Sequence, residues 1–162
     1  MNAKIQIRPM TKSDLKDVFL LQKEFETYLR SLSARHRATS AIKRERRLRK
    51  DGFGKNPAFY GFVARQNRVL LGYLCYHFGY DPDEMQGRVV YVIDLFVTKE
   101  TRGRGVGMLL MKEVARLCRR IHGIDVYFCV WRRNKSAIRF YKSLGADWVK
   151  DVPLMRWDKN KW

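Results

Sequence analysis

The sequence predicts an α/β domain in which helices cover a central sheet. Three observations carry that reading. The run Val89-Val90-Tyr91-Val92-Ile93-Asp94-Leu95-Phe96-Val97 is strongly β-prone and holds a single carboxylate, as expected of a central strand with both faces covered. Residues 105 to 122 place Val106, Leu109, Leu110, Val114, Leu117, Cys118 and Ile121 three or four positions apart, the spacing of an amphipathic helix. Such strand-like and helix-like runs alternate through all 162 residues, a length that fits one domain over residues 1–162 and excludes a second catalytic domain.

Taken in order, residues 4 to 8 alternate as a short strand that Pro9 ends, and Thr11-Lys12-Ser13-Asp14 is a capping sequence. Leu15, Val18, Phe19, Gln22, Phe25 and Leu29 then recur at helical spacing. A second helix is crowded with Lys43, Arg44, Arg46, Arg47, Arg49 and Lys50, and Asp51 to Gly54 reads as the turn after it. Phe59 to Ala64 and Val69 to Phe78 read as strands joined by a polar turn over Arg65 to Arg68. Gly79 to Gly87 is a polar loop, and the central strand and long helix follow. Gly123 stops that helix, beyond the cationic Arg116, Arg119 and Arg120 that suit a helix C-terminus. Asp125 to Trp131 is a strand, Lys135 to Leu144 a helix closed by Gly145, and Trp148 to Trp157 a final pair of short strands.

Composition narrows the function. Hydrophobic residues make up 46% of the chain, enough to offset the entropy of ordering and exclude wholesale disorder. No run approaches the ~18 apolar residues of a membrane span, and the opening residues lack a signal-peptide core, so a cytoplasmic protein is expected. Cys75, Cys118 and Cys129 have no close pairing of the kind that zinc or redox motifs use, and they read as buried free thiols. The net charge is +18, concentrated in two zones: residues 29 to 55 hold ten basic and two acidic side chains, residues 102 to 142 eleven and two. A field of that size attracts polyanions. Residues 35–50 are therefore either a solvated helix face or a dock for an acidic or nucleic-acid partner. Nucleic-acid binding rests on charge alone, because no zinc-finger spacing, heptad run or aromatic ribonucleoprotein signature is present.

Between the central strand and the long helix lies Thr101-Arg102-Gly103-Arg104-Gly105-Val106-Gly107. Glycines let the backbone turn sharply and gather N–H groups, and the helix that follows adds its unsatisfied amides and positive dipole end, together a cradle for pyrophosphate. The bland reading is a structural turn. A Walker loop is excluded because no Gly-Lys-Ser/Thr triplet occurs, and the dinucleotide fingerprint because Gly107 arrives one residue early.

Arg102-x-x-Gly105-x-Gly107, placed after a strand and opening a helix, resembles the cofactor motif of the GNAT superfamily of acyl-CoA N-acyltransferases. Asn134-x-x-Ala137-x-x-Phe140-Tyr141-x-x-x-Gly145-Ala146 is similar to the second half of that family's cofactor site, and Ile7-Arg8-Pro9 with Thr11 and Asp14 to its opening. The stretches 94–107 and 131–146 most resemble the spermidine/spermine N-acetyltransferase-like branch. The resemblance implies a mixed, mostly antiparallel sheet of about seven strands flanked by helices and splayed between strands 4 and 5. It implies transfer of acetyl from acetyl-CoA, without a metal, to a primary amine of a small molecule such as a polyamine or amino acid. A homodimer is expected from the same resemblance.

Carried over residue by residue, Leu95, Phe96 and Val97 would lie along pantetheine. The backbone of Arg102, Gly103, Arg104, Gly105, Val106, Gly107 and Met108 would take the pyrophosphate. Asn134 with Ala137 would meet the pantetheine arm, Asn134 doubling as or reduced to a helix cap. Tyr141 would protonate the leaving thiolate, against the alternative of a packing tyrosine. The branch has a glutamate before the aspartate of its fourth strand, where this sequence has Ile93 before Asp94. In a regular strand those two side chains face opposite ways, so Asp94 serves as base only if a bulge re-aims it; otherwise it is a structural carboxylate. Glu24, Glu26, Tyr76, Tyr80, Asp81 and Asp83 are either further candidates to meet a cationic amine or equally well surface groups, and Tyr91 lines either the acceptor cleft or the core. Two other function classes remain at this stage: a catalytically weak CoA-binding sensor or scaffold, and a basic nucleic-acid or ribosome-associated module.

Overall fold

The computed structural model describes residues 3–32, 40–82, 85–150 and 154–155. Their elements run β1 (Gln6–Pro9), α1 (Leu15–Leu32), α2 (Ala41–Phe53), β2 (Tyr60–Gln66), β3 (Val69–Tyr80), β4 (Arg88–Val97), α3 (Val106–Arg120), β5 (Asp125–Phe128) and α4 (Lys135–Ser143), with single 3-10 turns at Lys12–Asp14 and Lys99–Thr101. The sheet order is β1-β2-β3-β4-β5. β1 to β4 pair antiparallel, β1 and β2 across the two intervening helices, and β4 and β5, joined through α3, are parallel.

The sheet has five strands among the described residues, not seven. Residues 146–149 form no strand, and 151–153 and 156–157 lie outside the described residues. Trp148, Val149, Leu154 and Met155 are exposed, so β-prone side chains there are not matched by a sheet position to bury them. Pro9 ends β1 as its last residue, tolerated because β1 is an edge strand. The basic helix runs on through Phe53, so the turn expected from Asp51 begins later. β2 and β3 each extend to within two residues of each other, leaving Asn67-Arg68 as the turn, with Asn67 at φ 55°. Of the polar loop, Asp83 and Glu84 lie outside the described residues.

Two cores flank the sheet. One joins Phe62, Leu74, Val90 and Val92 to the α3 stripe Val106, Leu110, Val114 and Leu117. The other joins Val63, Tyr73, Cys75 and Phe96 to Val18, Leu21 and Phe25 of α1. Asp14 fastens this second layer. Fully buried, it accepts two hydrogen bonds from Arg8 of β1 (both 2.7 Å), two from Arg65 of β2 (2.9 and 3.1 Å), and the Thr11 amide and hydroxyl (both 2.9 Å). The predicted capping sequence therefore anchors three elements at once. Cys75 and Cys118 are buried, whereas Cys129, past the end of β5, is exposed. Among the described residues, no helix is long and apolar enough to cross a membrane.

Candidate active site

β4 departs from regularity at one place. Cys75 pairs with Asp94 and Tyr76 with Val92, so Ile93 is an extra residue opposite the β3 ladder. Val90 and Val92 before the bulge pack toward α3, as do Leu95 and Val97 after it, whereas Phe96 packs toward α1. Alternation thus places Asp94 with Phe96 on the α1 side, shared with Tyr91. Ile93 itself is 50% exposed, which corrects the expectation that β4 is covered on both faces.

The pairing of β4 with β5 ends one residue before that bulge, at Val92 opposite Phe128. β4 continues to Val97 while the chain after Phe128 leaves the ladder, so β5 stops three residues short of Trp131. The strands part as the resemblance implied. Between them opens a cleft of about 590 Å³, lined by Val92 to Val97 on one side, Phe128 to Trp131 on the other, and Phe25, Tyr28 and Leu29 of α1.

One end of the cleft is the glycine loop. Gly103 and Gly105 have φ 77° and 79°, the left-handed region that side chains resist, and a Cβ on either would stand in open space. Leu109 is the first amide to bond back, to the Gly105 carbonyl at 3.0 Å. By helix geometry the amides of Val106, Gly107 and Met108 have no acceptor within the helix. This open cradle of main-chain donors fits a diphosphate. Arg102, Gly103, Gly105, Val106, Gly107 and Met108 all line the cleft. Arg104 does not: its guanidinium donates to Gln66 Oε1 at 3.1 Å, and the backbone amides of Arg102 and Arg104, expected among the phosphate donors, instead donate to the carbonyls of Lys99 (3.4 Å) and Thr101 (3.3 Å), closing the turn that precedes the cradle. Arg102 donates through Nε to the Val97 carbonyl (3.2 Å) and lies over the Tyr28 and Phe96 rings at 5.1 and 5.7 Å.

At the opposite wall, Asn134 caps α4 by accepting the Ala137 amide at 3.1 Å, and it also accepts from Tyr28 Oη at 2.8 Å. Tyr141 projects from α4 into the cleft, its ring stacked on Phe128 at 4.1 Å. Burial and then the charge of Asp94 push its phenol up to about 12. Burial likewise raises the Asp94 carboxyl, with Arg44 of α2 pulling the other way. Asp94 and Tyr141 thus share one cleft, the first tuned toward accepting a proton and the second toward keeping one.

The remaining candidates disperse. Tyr76 is buried on the α3 side. Glu26 forms ion pairs with Arg30 and Arg44, Asp81 is buried and accepts from Tyr127 Oη at 3.0 Å, and Glu24 faces the Lys99 amide at 3.3 Å. Tyr80 is exposed, Tyr91 stacks on His77 with ring centres 5.0 Å apart, and Asp83 lies outside the described residues. In the basic zone 35–50, residues 35–39 also lie outside; within α2, Arg49 pairs with Glu45 at 3.0 Å. Sequence reading missed Phe25, Tyr28 and Leu29, whose α1 periodicity looks like core, and Phe128, Cys129 and Trp131, which line the cleft because β5 peels away.

Residues 20–146 match the model of the acetyltransferase (GNAT) family. The chain belongs to that family. The relatives agree. Mouse thialysine N-epsilon-acetyltransferase is 32% identical over 153 residues, which cover 89% of this chain and 85% of that one. Human spermidine/spermine N(1)-acetyltransferase-like protein 1 is 29% identical over 87% of this chain, matching 20% of that longer protein. Among solved structures, an integron cassette protein from the mobile metagenome of V. cholerae superimposes with a TM-score of 0.81 at 24% identity, over 97% of this chain and 94% of that one. This GNAT protein is an acetyl-CoA-dependent N-acetyltransferase, and its similarity to these relatives is consistent with the spermidine/spermine acetyltransferase-like branch. The sensor and nucleic-acid readings are not favoured.

Proposed function

We propose that the protein acetylates the primary amine of a small molecule of polyamine or amino-acid type by direct attack, with Asp94 as base and Tyr141 as acid. The observation that carries this reading is the Ile93 bulge, which turns Asp94 toward the α1 side of a cleft that Tyr141 enters from α4. The similarity to enzymes named for thialysine and for spermidine/spermine supports an alkylamine acceptor.

Acetyl-CoA, when bound, supplies an activated acetyl thioester. The amides of Gly103 and of Gly105 to Met108 would hold the diphosphate, and the edge of Leu95 to Val97 that faces away from β3 would run beside the pantetheine arm. A β4 amide on that edge donates to the acyl oxygen as charge develops there, a contribution of about 3 kcal/mol for such a donor. An alkylammonium with pKa near ~10 must lose a proton before attack. Asp94, its carboxyl raised by burial, takes that proton. As the N–C bond forms and the C–S bond breaks, Tyr141 gives its phenolic proton to the departing sulfur, the second proton shed by the attacking nitrogen restores the phenol, and the proton held by Asp94 is the one released to solvent.

A thiol-release assay across polyamines, diamines and free amino acids, with wild type and Asp94→Asn, tests this. The expected result is turnover of at least one primary amine and a loss of about 100-fold or more in kcat for the variant. Full activity of Asp94→Asn removes the carboxylate from the mechanism.

A further inference from the structure

We propose that Tyr28 is a cofactor-positioning residue: its hydroxyl fixes the Asn134 carboxamide so that the amide nitrogen serves the pantetheine arm. This rests on the reading of Asn134 as a pantetheine contact. Tyr28 belongs to α1 and Asn134 to the start of α4, 106 positions apart, yet Tyr28 Oη donates to Asn134 Oδ1 at 2.8 Å. Ser136 Oγ lies 2.9 Å from Tyr28 Oη and 3.1 Å from Asn134 Oδ1, closing a triangle of three oxygens.

The donor inventory makes the consequence definite. Asn134 Oδ1 has two lone pairs, which the Ala137 amide at 3.1 Å and the Tyr28 hydroxyl at 2.8 Å take, leaving the Ser136 hydroxyl hydrogen for Tyr28 Oη. Its accepting capacity is filled by protein. The cap alone decides which end of the amide is oxygen, and the Tyr28–Ser136 pair then holds the amide plane against rotation. What remains of Asn134, a residue 9% exposed that lines the cleft, is the two N–H donors of Nδ2. Donors suit a ligand rich in amide carbonyls, and the pantetheine arm carries two. The face of the same Tyr28 ring lies beneath Arg102 at 5.1 Å, on the phosphate side. Ring and hydroxyl therefore meet different partners, Arg102 and Asn134, and Tyr28→Phe removes the second contact without the first.

The test is calorimetric titration of the full chain with CoA and, separately, with adenosine 3′,5′-bisphosphate, which lacks the arm. Tyr28→Phe is expected to weaken CoA about three- to tenfold, the equivalent of one hydrogen bond, and to leave the nucleotide within about twofold. Asn134→Ala weakens CoA at least as much, and the double variant adds little beyond it. Ser136→Ala, which leaves α1 untouched, repeats the selective loss and covers the case in which Tyr28→Phe folds poorly. Unchanged CoA affinity in Tyr28→Phe and Ser136→Ala while Asn134→Ala is weakened overturns the role of Tyr28 alone. Equal weakening of both ligands by Tyr28→Phe also overturns it, because a loosened α1 would not discriminate. No effect of Asn134→Ala on CoA removes the Asn134 reading and the proposal with it.

Discussion

Tyr141→Phe separates chemistry from packing more cleanly than any other change in the cleft. The phenol ring stacks on Phe128 at 4.1 Å and leans on Phe140 at 5.2 Å, and phenylalanine keeps both contacts. Only the hydroxyl is lost, so folding stability should move by less than about 1 kcal/mol. A positioned general acid contributes about 10²- to 10⁴-fold, or about 3 to 5 kcal/mol of barrier. The two scales differ enough that kcat and the melting temperature cannot be confused. The pH dependence sharpens the test. The acid works only while protonated, and activity falls as pH rises through its pKa. An ordinary tyrosine would begin to fail near pH ~10. With Tyr141 pushed up to about 12 by burial and the Asp94 charge, the wild-type kcat plateau should persist to pH 10.5. The assay is stopped-flow thiol release at saturating acetyl-CoA from pH 6 to 10.5. A variant within threefold of wild type throughout, or a wild-type profile that declines by pH 9.5, refutes the assignment.

Gly105→Val should bind CoA at least about tenfold more weakly. It must adopt φ near 79° and set a side chain into the open space before the loop amides, at a backbone cost of about 1 to 2 kcal/mol that lowers the melting temperature by only a few degrees. Asp14→Ala should cost about 3 to 5 kcal/mol, because it removes the buried carboxylate that Arg8 and Arg65 share and leaves Arg65, whose side chain is 15% exposed, with only Asp17 and the Arg68 carbonyl; thermal or denaturant melts measure it. Neighbouring guanidiniums and hydrogen bonds outweigh burial and hold the Asp14 carboxyl well below the usual carboxylate range. Its contribution is therefore complete above the unfolded value near ~4 and lost as pH falls through the folded one, so Asp14→Ala should show a shallower loss of stability below pH 4 than wild type.

What was legible in the sequence was what local chemistry enforces. Glycines at 103 and 105 announce positive φ, the stripe from Val106 to Leu117 announces which side of α3 is buried, and Thr11-x-x-Asp14 announces a cap. Each is decided within a few residues. The resemblance implies the parting of β4 and β5, and with Ile93 before Asp94 strand alternation requires a bulge to re-aim the carboxylate. The rest required distant partners. Nothing near Tyr28 reveals Asn134, since both obey local rules, one a helix-interior tyrosine and the other a cap. The Arg104 amide reads as a phosphate donor by position, but it donates to the Thr101 carbonyl, and Gln66 at the end of β2 takes the guanidinium. Asp81 reads as an acid for a cationic amine or for the surface and is instead buried beneath the Tyr127 hydroxyl. The extent of β5 was overestimated because Cys129, Val130 and Trp131 have strand propensity, while pairing depends on a neighbour that has already turned away.

That turning has a cause within β4. A bulge adds a residue to one strand, bends it and increases its twist. Here it sits at Ile93, and the parallel ladder to β5 ends at the preceding residue, Val92. On its β3 edge, β4 resumes register at Asp94 and stays paired to Val97. Its β5 edge, rotated by the extra residue, no longer meets a partner. One irregularity thus settles two requirements that a regular strand would set against each other. It frees the main chain of Leu95 to Val97 to run beside a ligand, and it carries Asp94 to the α1 side near Arg44 and across the cleft from Tyr141. The exposure of Ile93, costly for a β-branched residue in the middle of a sheet, is the visible counterpart of that arrangement: the residue that makes the bulge cannot be buried by either face.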